Sequence, residues 1–242
     1  MPRWACSSLR IVRILTNPPL GSRKRPQRDP ASLVSPHSTS SHQPSSRPLT
    51  SDTLFRVPPN VKFEIDDVES PWLHSNPFDF IFCRYMCACI ADWPKLIQNI
   101  HANLSPGGWA EFQDFDLEYY SDDGSLKEEH DVMVWDRLFL SAAGKTGREV
   151  SPGPRFEAWV RDAGFRGVLH RKFKFPIGSW PRDPVLKEVG LYNLMQIENG
   201  LEAFTLRLFT GMLGWQPEEA EALLAKVRKD LRDKSIHAYV NL

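Results

Sequence analysis

A doubly wound, mostly parallel α/β sheet is predicted by three features of this 242-residue sequence. The first is the apolar run FDFIFC, Phe78 to Cys83, with the composition of a strand buried on both faces. The second is the stripe Leu96, Ile97, Ile100 and Leu104, which falls on one side of a helix. The third is LSPGGWAEFQD, Leu104 to Asp114: Pro106 bars the helix from continuing, two glycines turn the chain, and Trp109 to Phe112 start a new strand. Strand, helix, turn and strand make a crossover unit, which sets FDFIFC beside the Trp109 segment as a parallel neighbour.

Taken in order, the chain begins with about 55 residues rich in Ser, Pro and Arg, too poor in large apolar side chains to offset the entropy of ordering. Residues 1–56 are therefore expected to be a disordered basic tail and residues 57–242 the folded part. Two short patterns in the tail offer other readings. MPRWACSSLRIVRIL is Arg-bearing and acid-free, like a mitochondrial presequence, and SRKRPQR is a basic cluster of the nuclear-localisation kind. After the Pro58-Pro59-Asn60 turn, Val61 to Ile65 alternate as a strand and run into Asp66 and Asp67. Asp92 is placed to cap the helix that carries Leu96, and Pro94 sits in its first turn, where a missing N–H costs nothing. RFEAWVRDAGF predicts a helix with Phe156, Trp159, Val160 and Ala163 inward and Gly164 as its stop. VLHRKFKF predicts a half-exposed strand with Leu169, Phe173 and Phe175 on one face. A helix from Pro217 carries Ala220, Leu223, Leu224, Val227 and Leu231 on one side, and HAYVNL begins a strand.

The formal net charge is zero, but residues 1–60 carry nine Lys/Arg against two Asp/Glu and residues 61–242 carry 21 against 28. An acidic body argues against nucleic-acid binding as the main function, because affinity for phosphates needs clustered cations. No run approaches the roughly 18 to 20 apolar residues of a membrane span, which predicts a soluble protein. Cys83, Cys87 and Cys89 fall within seven positions and fit a reducing compartment, cytoplasmic or nuclear. They lack a paired Cys-x-x-Cys, so buried small hydrophobes are the reading preferred over a zinc site. GKTGRE, Gly144 to Glu149, lacks the leading glycine and strand of a phosphate loop and reads as a loop that ends a helix.

In an open parallel sheet ligands bind beyond the carboxyl ends of the strands. That singles out Asp66 and Asp67, Cys83 and Arg84, and Gln113 and Asp114 at the rim of a cleft. Arg84 has a structural alternative as a partner of Asp79 or Asp92.

The segments VPPNVKFEIDDVESPW, FDFIFCRYMCACIADWPKLIQNIHANLSPGGWAEFQD and AGFRGVLHRKFKFPIGSWPRDPVLKEVG together resemble the seven-stranded S-adenosylmethionine-dependent methyltransferases. Within these the sequence is most similar to the fungal secondary-metabolism group that includes the regulator working with velvet proteins. The resemblance implies a Rossmann-like methyltransferase sheet with S-adenosyl-L-methionine as cofactor and an acceptor that is a small molecule or a protein. It places Asp66 where an acid accepts a hydrogen bond from the adenine amino group, with the backbone N–H of Asp67 beside the ring. It places Cys83 and Arg84 at the methionine end, and His130 and Trp135 in the segment over the cleft. No general base is identified.

The family opens its domain with a strand, a Gly-x-Gly-x-Gly loop, a helix and a second strand ending in a ribose-binding acid. Here Gly21 is the only glycine before Gly107. Glycines are needed there so that backbone can approach the cofactor without a Cβ in the way. The sheet is thus expected to be incomplete, without its first strand-loop-helix unit. The final strand, antiparallel at the sheet edge in the family, is expected to be cut short. Two readings follow: a methyltransferase impaired by the missing loop, and a non-catalytic methyltransferase-like protein that binds a regulatory partner. A misread gene model is a third origin for the tail.

Overall fold

The computed structural model describes residues 66–242 in full, preceded by the backbone of two strands. These are β1 (Ile11–Leu15) and β2 (Val61–Ile65), paired antiparallel with Ile11 opposite Ile65. β2 is the strand expected from its alternation. β1 lies inside the segment expected to be disordered, and the other residues of 1–60 lie outside the described residues, as do the basic cluster and most of the presequence-like stretch. The chain divides into two units: a smaller one ending at Asp67, and a larger one containing Val68–Leu242.

In the larger unit β3 (Phe78–Arg84), α1 (Trp93–Ala102) and β4 (Leu104–Gln113) form the expected parallel crossover. The Asp92 side chain caps α1 by accepting from the Lys95 N–H at 3.0 Å. Trp93, Leu96, Ile97 and Ile100 are buried along one side of the helix. The Pro-Gly-Gly sequence differs from its expectation. β4 already begins at Leu104, opposite Phe78, and the register then jumps so that Phe80 faces Trp109. The glycines therefore form an irregularity inside the strand rather than a turn before it. Gly108 is required by close approach, since a Cβ there would lie 2.9 Å from the Ser105 carbonyl oxygen and 3.1 Å from that of Asp79.

One face of the β3–β4 pair, with Ile81, Cys83, Ala110 and Phe112, packs on α1 and on α3 (Phe156–Asp162). On the other face Phe80, Phe82 and Trp109 are 52%, 45% and 62% exposed. FDFIFC is thus buried on one face and not on two, because no described element lies over the second. The double winding expected of the sheet is met on that one face only.

A second core is made by α2 (Asp131–Gly144), α4 (Pro184–Leu208) and α5 (Pro217–Arg232), with Trp135, Leu201, Phe209, Leu224 and Val227 at its centre. All five residues of the expected α5 stripe are buried. The strand expected over Val168 to Phe175 shrinks to β5 (Lys174–Pro176), and Leu169 and Phe173 point outward. β6 (Tyr239–Asn241) pairs antiparallel with β5. It does not lie at a sheet edge as expected. The chain beyond β4 runs along its other side, through the Tyr120–Tyr239 bridge and the Asp116 N–H bonded to the Asn241 carbonyl at 3.1 Å. Among the described residues no helix is long and apolar enough to cross a membrane.

Candidate functional site at the rim of the parallel strands

At the carboxyl ends of β3 and β4 the backbone departs from ordinary geometry. Tyr85 and Ala88 both have φ of 55°, a left-handed conformation that costs a residue with a Cβ about 1–2 kcal/mol. A set of hydrogen bonds holds them there. The Tyr85 N–H donates to the Gln113 carbonyl at 3.0 Å, and the Ala88 N–H to the Glu149 carbonyl at 2.8 Å. The Asp114 carboxylate accepts from the Met86 N–H at 2.6 Å and from the Phe115 N–H at 3.0 Å. Asp114 is buried, and that burial raises its pKa against the opposing effect of these donors. It was expected at the rim of a cleft, but it lies beneath the loop and acts as its clamp.

The same carboxylate adds to the effect of burial on the neighbouring thiols. Burial, and then the charge of Asp114, push Cys83 up to about 12, and the same causes raise Cys87 further. Both are protonated at neutral pH and unsuited to nucleophilic work. Among the described residues no group of three His, Cys, Asp or Glu is arranged to hold a metal ion.

The other expected site residues are placed as follows. Asp66 and Asp67 are exposed in the turn after β2, where the Asp67 N–H donates to the Asp66 carboxylate at 2.7 Å. The Cys83 side chain faces the α1–α3 core, which leaves only its backbone at the rim. Arg84 is exposed, and its guanidinium carbon lies 4.6 Å from the ring centre of Tyr85 and 6.0 Å from that of Phe82. It makes no ion pair with Asp79 or Asp92. Gln113 donates to Glu111 at 2.6 Å. His130 accepts the Lys127 N–H at 2.9 Å beside the first turn of α2, and Trp135 is buried with its indole N–H on Thr205 at 2.8 Å. Both are thereby engaged in local structure.

Sequence reasoning missed Tyr85, Phe115 and two acids. Tyr85 stacks on Phe115 with ring centres 5.4 Å apart and planes 8° from parallel, and Phe115 meets Phe175 edge-on at 5.8 Å. Asp116 is buried and accepts from the Asn241 amide at 2.9 Å and the Tyr120 hydroxyl at 2.9 Å. Asp136, on α2, is 3% exposed, and one of its oxygens has no hydrogen-bond partner. Burial pushes its pKa up to about 7; the Tyr119 N–H opposes the rise, and the charges of Glu118 and Asp116 add to it. An acid in an otherwise helical pattern gave no sign of this, although the three carboxylates within Asp114 to Glu118 marked an unusual strand end.

Comparison with known proteins bears on what such a rim does. The family described as "Methyltransferase domain" matches residues 23–170. Methyltransferase pytC of Aspergillus terreus is 44% identical over 182 residues, covering 75% of this chain and 56% of the relative. Probable methyltransferase tdiE of Emericella nidulans is 33% identical over 176 residues, 73% of this chain and 55% of the relative. Secondary metabolism regulator LAE1 of Cochliobolus heterostrophus is 31% identical over 191 residues, 77% of this chain and 62% of the relative. The chain thus spans somewhat more than half the length of these curated relatives.

Proposed function

Because the chain belongs to the methyltransferase domain family, we propose that it serves methyl transfer from S-adenosyl-L-methionine in fungal secondary metabolism. The observation that carries this reading is the rim of β3 and β4, where Tyr85 is kept in a left-handed conformation beside an exposed Arg84. Strained backbone that its surroundings over-determine is characteristic of functional sites.

Each unit, taken by itself, carries groups whose chemistry fits the role that the resemblance assigns them. Asp66 is an exposed acceptor for the adenine amino group, and the backbone N–H of Asp67 would exchange its bond to Asp66 for the ring. The backbone of Cys83 and Arg84 lies at the open end of β3, where the resemblance would put the methionine end of the cofactor. When bound, the cofactor supplies a methyl group on sulfonium for in-line displacement, to which a protein contributes mainly orientation. The clamped loop supplies that orientation, because Asp114 fixes Met86 and Phe115 in one arrangement. The acceptor, a small molecule or a protein, is not assigned a general base. With Gly21 the only glycine before Gly107, no glycine-rich turn in this stretch brings backbone against the cofactor. We therefore expect cofactor binding by this chain alone to be weak and turnover impaired.

The remaining organisation is proposed with it: a basic tail over residues 1–56, a partial doubly wound domain over 57–242, and a cytoplasmic or nuclear location. The exposure of Phe80 and Phe82 on the second face of β3 favours a second reading, a non-catalytic methyltransferase-like protein that holds a regulatory partner. Calorimetric titration of the full chain with S-adenosylhomocysteine separates the two. Saturable binding supports the enzyme, and absence of heat up to millimolar ligand leaves the interaction protein.

A further inference from the structure

We propose that Arg84 and the rings around it bind the carboxylate of a flat, apolar methyl acceptor, an inference that rests on the β3–β4 rim being the place of methyl transfer. Arg84 ends a ladder on one face of β3, in which Phe80 stacks on Phe82 with centres 6.4 Å apart and the guanidinium follows 6.0 Å from Phe82. Tyr85 lies 4.6 Å on from the guanidinium carbon and itself stacks on Phe115. A guanidinium laid against rings is held in orientation and weakly hydrated, which prepares its planar fork for a carboxylate.

Among the described residues no carboxylate forms an ion pair with Arg84. The nearest acid on the same face of the pair, Glu111, stands opposite Phe82 and takes the Gln113 amide at 2.6 Å instead. Phe82 and Tyr85 are exposed beside the cation and Phe80 continues the same face, an apolar surface suited to a ring system rather than to a solvated chain. The position of the cation is also fixed from below. Tyr85, the next residue, cannot relax from its φ of 55° while Asp114 holds Met86 at 2.6 Å. With its charge neutralised by Arg84, the carboxylate serves as the anchor, and the methylated atom lies elsewhere on the acceptor.

The test uses the full chain and its Arg84→Gln and Arg84→Lys variants, with folding of each checked by near-UV circular dichroism. Each is titrated calorimetrically with 1-naphthoate, with neutral 1-naphthalenemethanol, and separately with S-adenosylhomocysteine. Expected are saturable binding of 1-naphthoate, about tenfold weaker binding of the alcohol, and about tenfold weaker naphthoate binding in Arg84→Gln with partial recovery in Arg84→Lys. Naphthoate and alcohol binding alike, no naphthoate binding, or unchanged naphthoate affinity in Arg84→Gln overturns the proposal. So does a variant that loses S-adenosylhomocysteine but keeps naphthoate, which would give Arg84 to the cofactor. Naphthoate binding that depends on Arg84 without any S-adenosylhomocysteine binding supports the anion site while removing the methyl-transfer reading.

Discussion

Replacing Asp136 with Asn should stabilise the protein, by an amount that grows as the pH rises from about 4 to 7. The side chain is 3% exposed on α2, one oxygen has no partner, and burial moves its pKa from 3.8 to about 7. In the unfolded chain the carboxyl ionises near its ordinary value, whereas the folded protein keeps it protonated until near neutrality. Between about pH 4 and 7 the native state therefore binds one proton more than the unfolded state, and stability falls as pH rises through this window. The accumulated loss is about 4 kcal/mol, a factor of ten being about 1.4 kcal/mol. An amide resembles the protonated acid: it is neutral, of the same shape, and able to accept the Tyr119 N–H. Urea unfolding, followed through the fluorescence of the adjacent Trp135, should show wild type and Asp136→Asn equally stable at about pH 3, below the unfolded pKa. By pH 8 the variant should be ahead by a few kcal/mol. A variant that is less stable at pH 8, or a difference that does not change with pH, would refute the reasoning.

Two other substitutions probe the frame of the rim. Asp114→Ala removes the acceptor from the part-buried Met86 and Phe115 N–H groups, which should cost about 2–6 kcal/mol at 1–3 kcal/mol per unsatisfied group, towards the lower end because water can reach them. Amide exchange should quicken in residues 85–89 before it does in α5. Gly108→Ala puts a Cβ 2.9 Å from the Ser105 carbonyl oxygen and 3.2 Å from that of Phe78. The start of the β3–β4 pairing has to shift, and a drop of about 1–3 kcal/mol in unfolding free energy is expected, the range for overpacking. Gly107→Ala, which meets no neighbour but needs a φ of 80°, makes the comparison and should cost less.

Elements whose stability is local were legible in the sequence. α1 and α5 were placed by their apolar stripes, the Asp92 cap and the prolines of their first turns, all of which depend on residues within four positions of one another. The parallel pairing of β3 and β4 followed from chain connectivity alone. What was misjudged depends on distant partners. FDFIFC reads as buried on both faces, yet Phe80 and Phe82 await a layer that no described residue provides. Leu169 and Phe173 alternate like core positions, but only the end of that segment finds β6. At the candidate site the strand ends were found by the general rule for open parallel sheets, and Arg84 is exposed there. The roles of its neighbours were not legible, because Asp114 and Cys83 are turned inward by a loop whose conformation is set across 28 residues of sequence.

The seating of β6 sets a timetable for the protein's own synthesis. Asp116 receives its amide partner from Asn241, 125 residues later, and Tyr120 is bridged by Tyr239. On a ribosome adding about 5–20 residues per second, the crossover of β3, α1 and β4 is complete several seconds before its neighbour exists. Through that interval a carboxylate destined for the interior and an open strand edge both face water and chaperones. Long-range closure of this kind is slow and exposes the chain to wrong pairings, so the emergence of β6 determines when the segment after β4 stops being vulnerable.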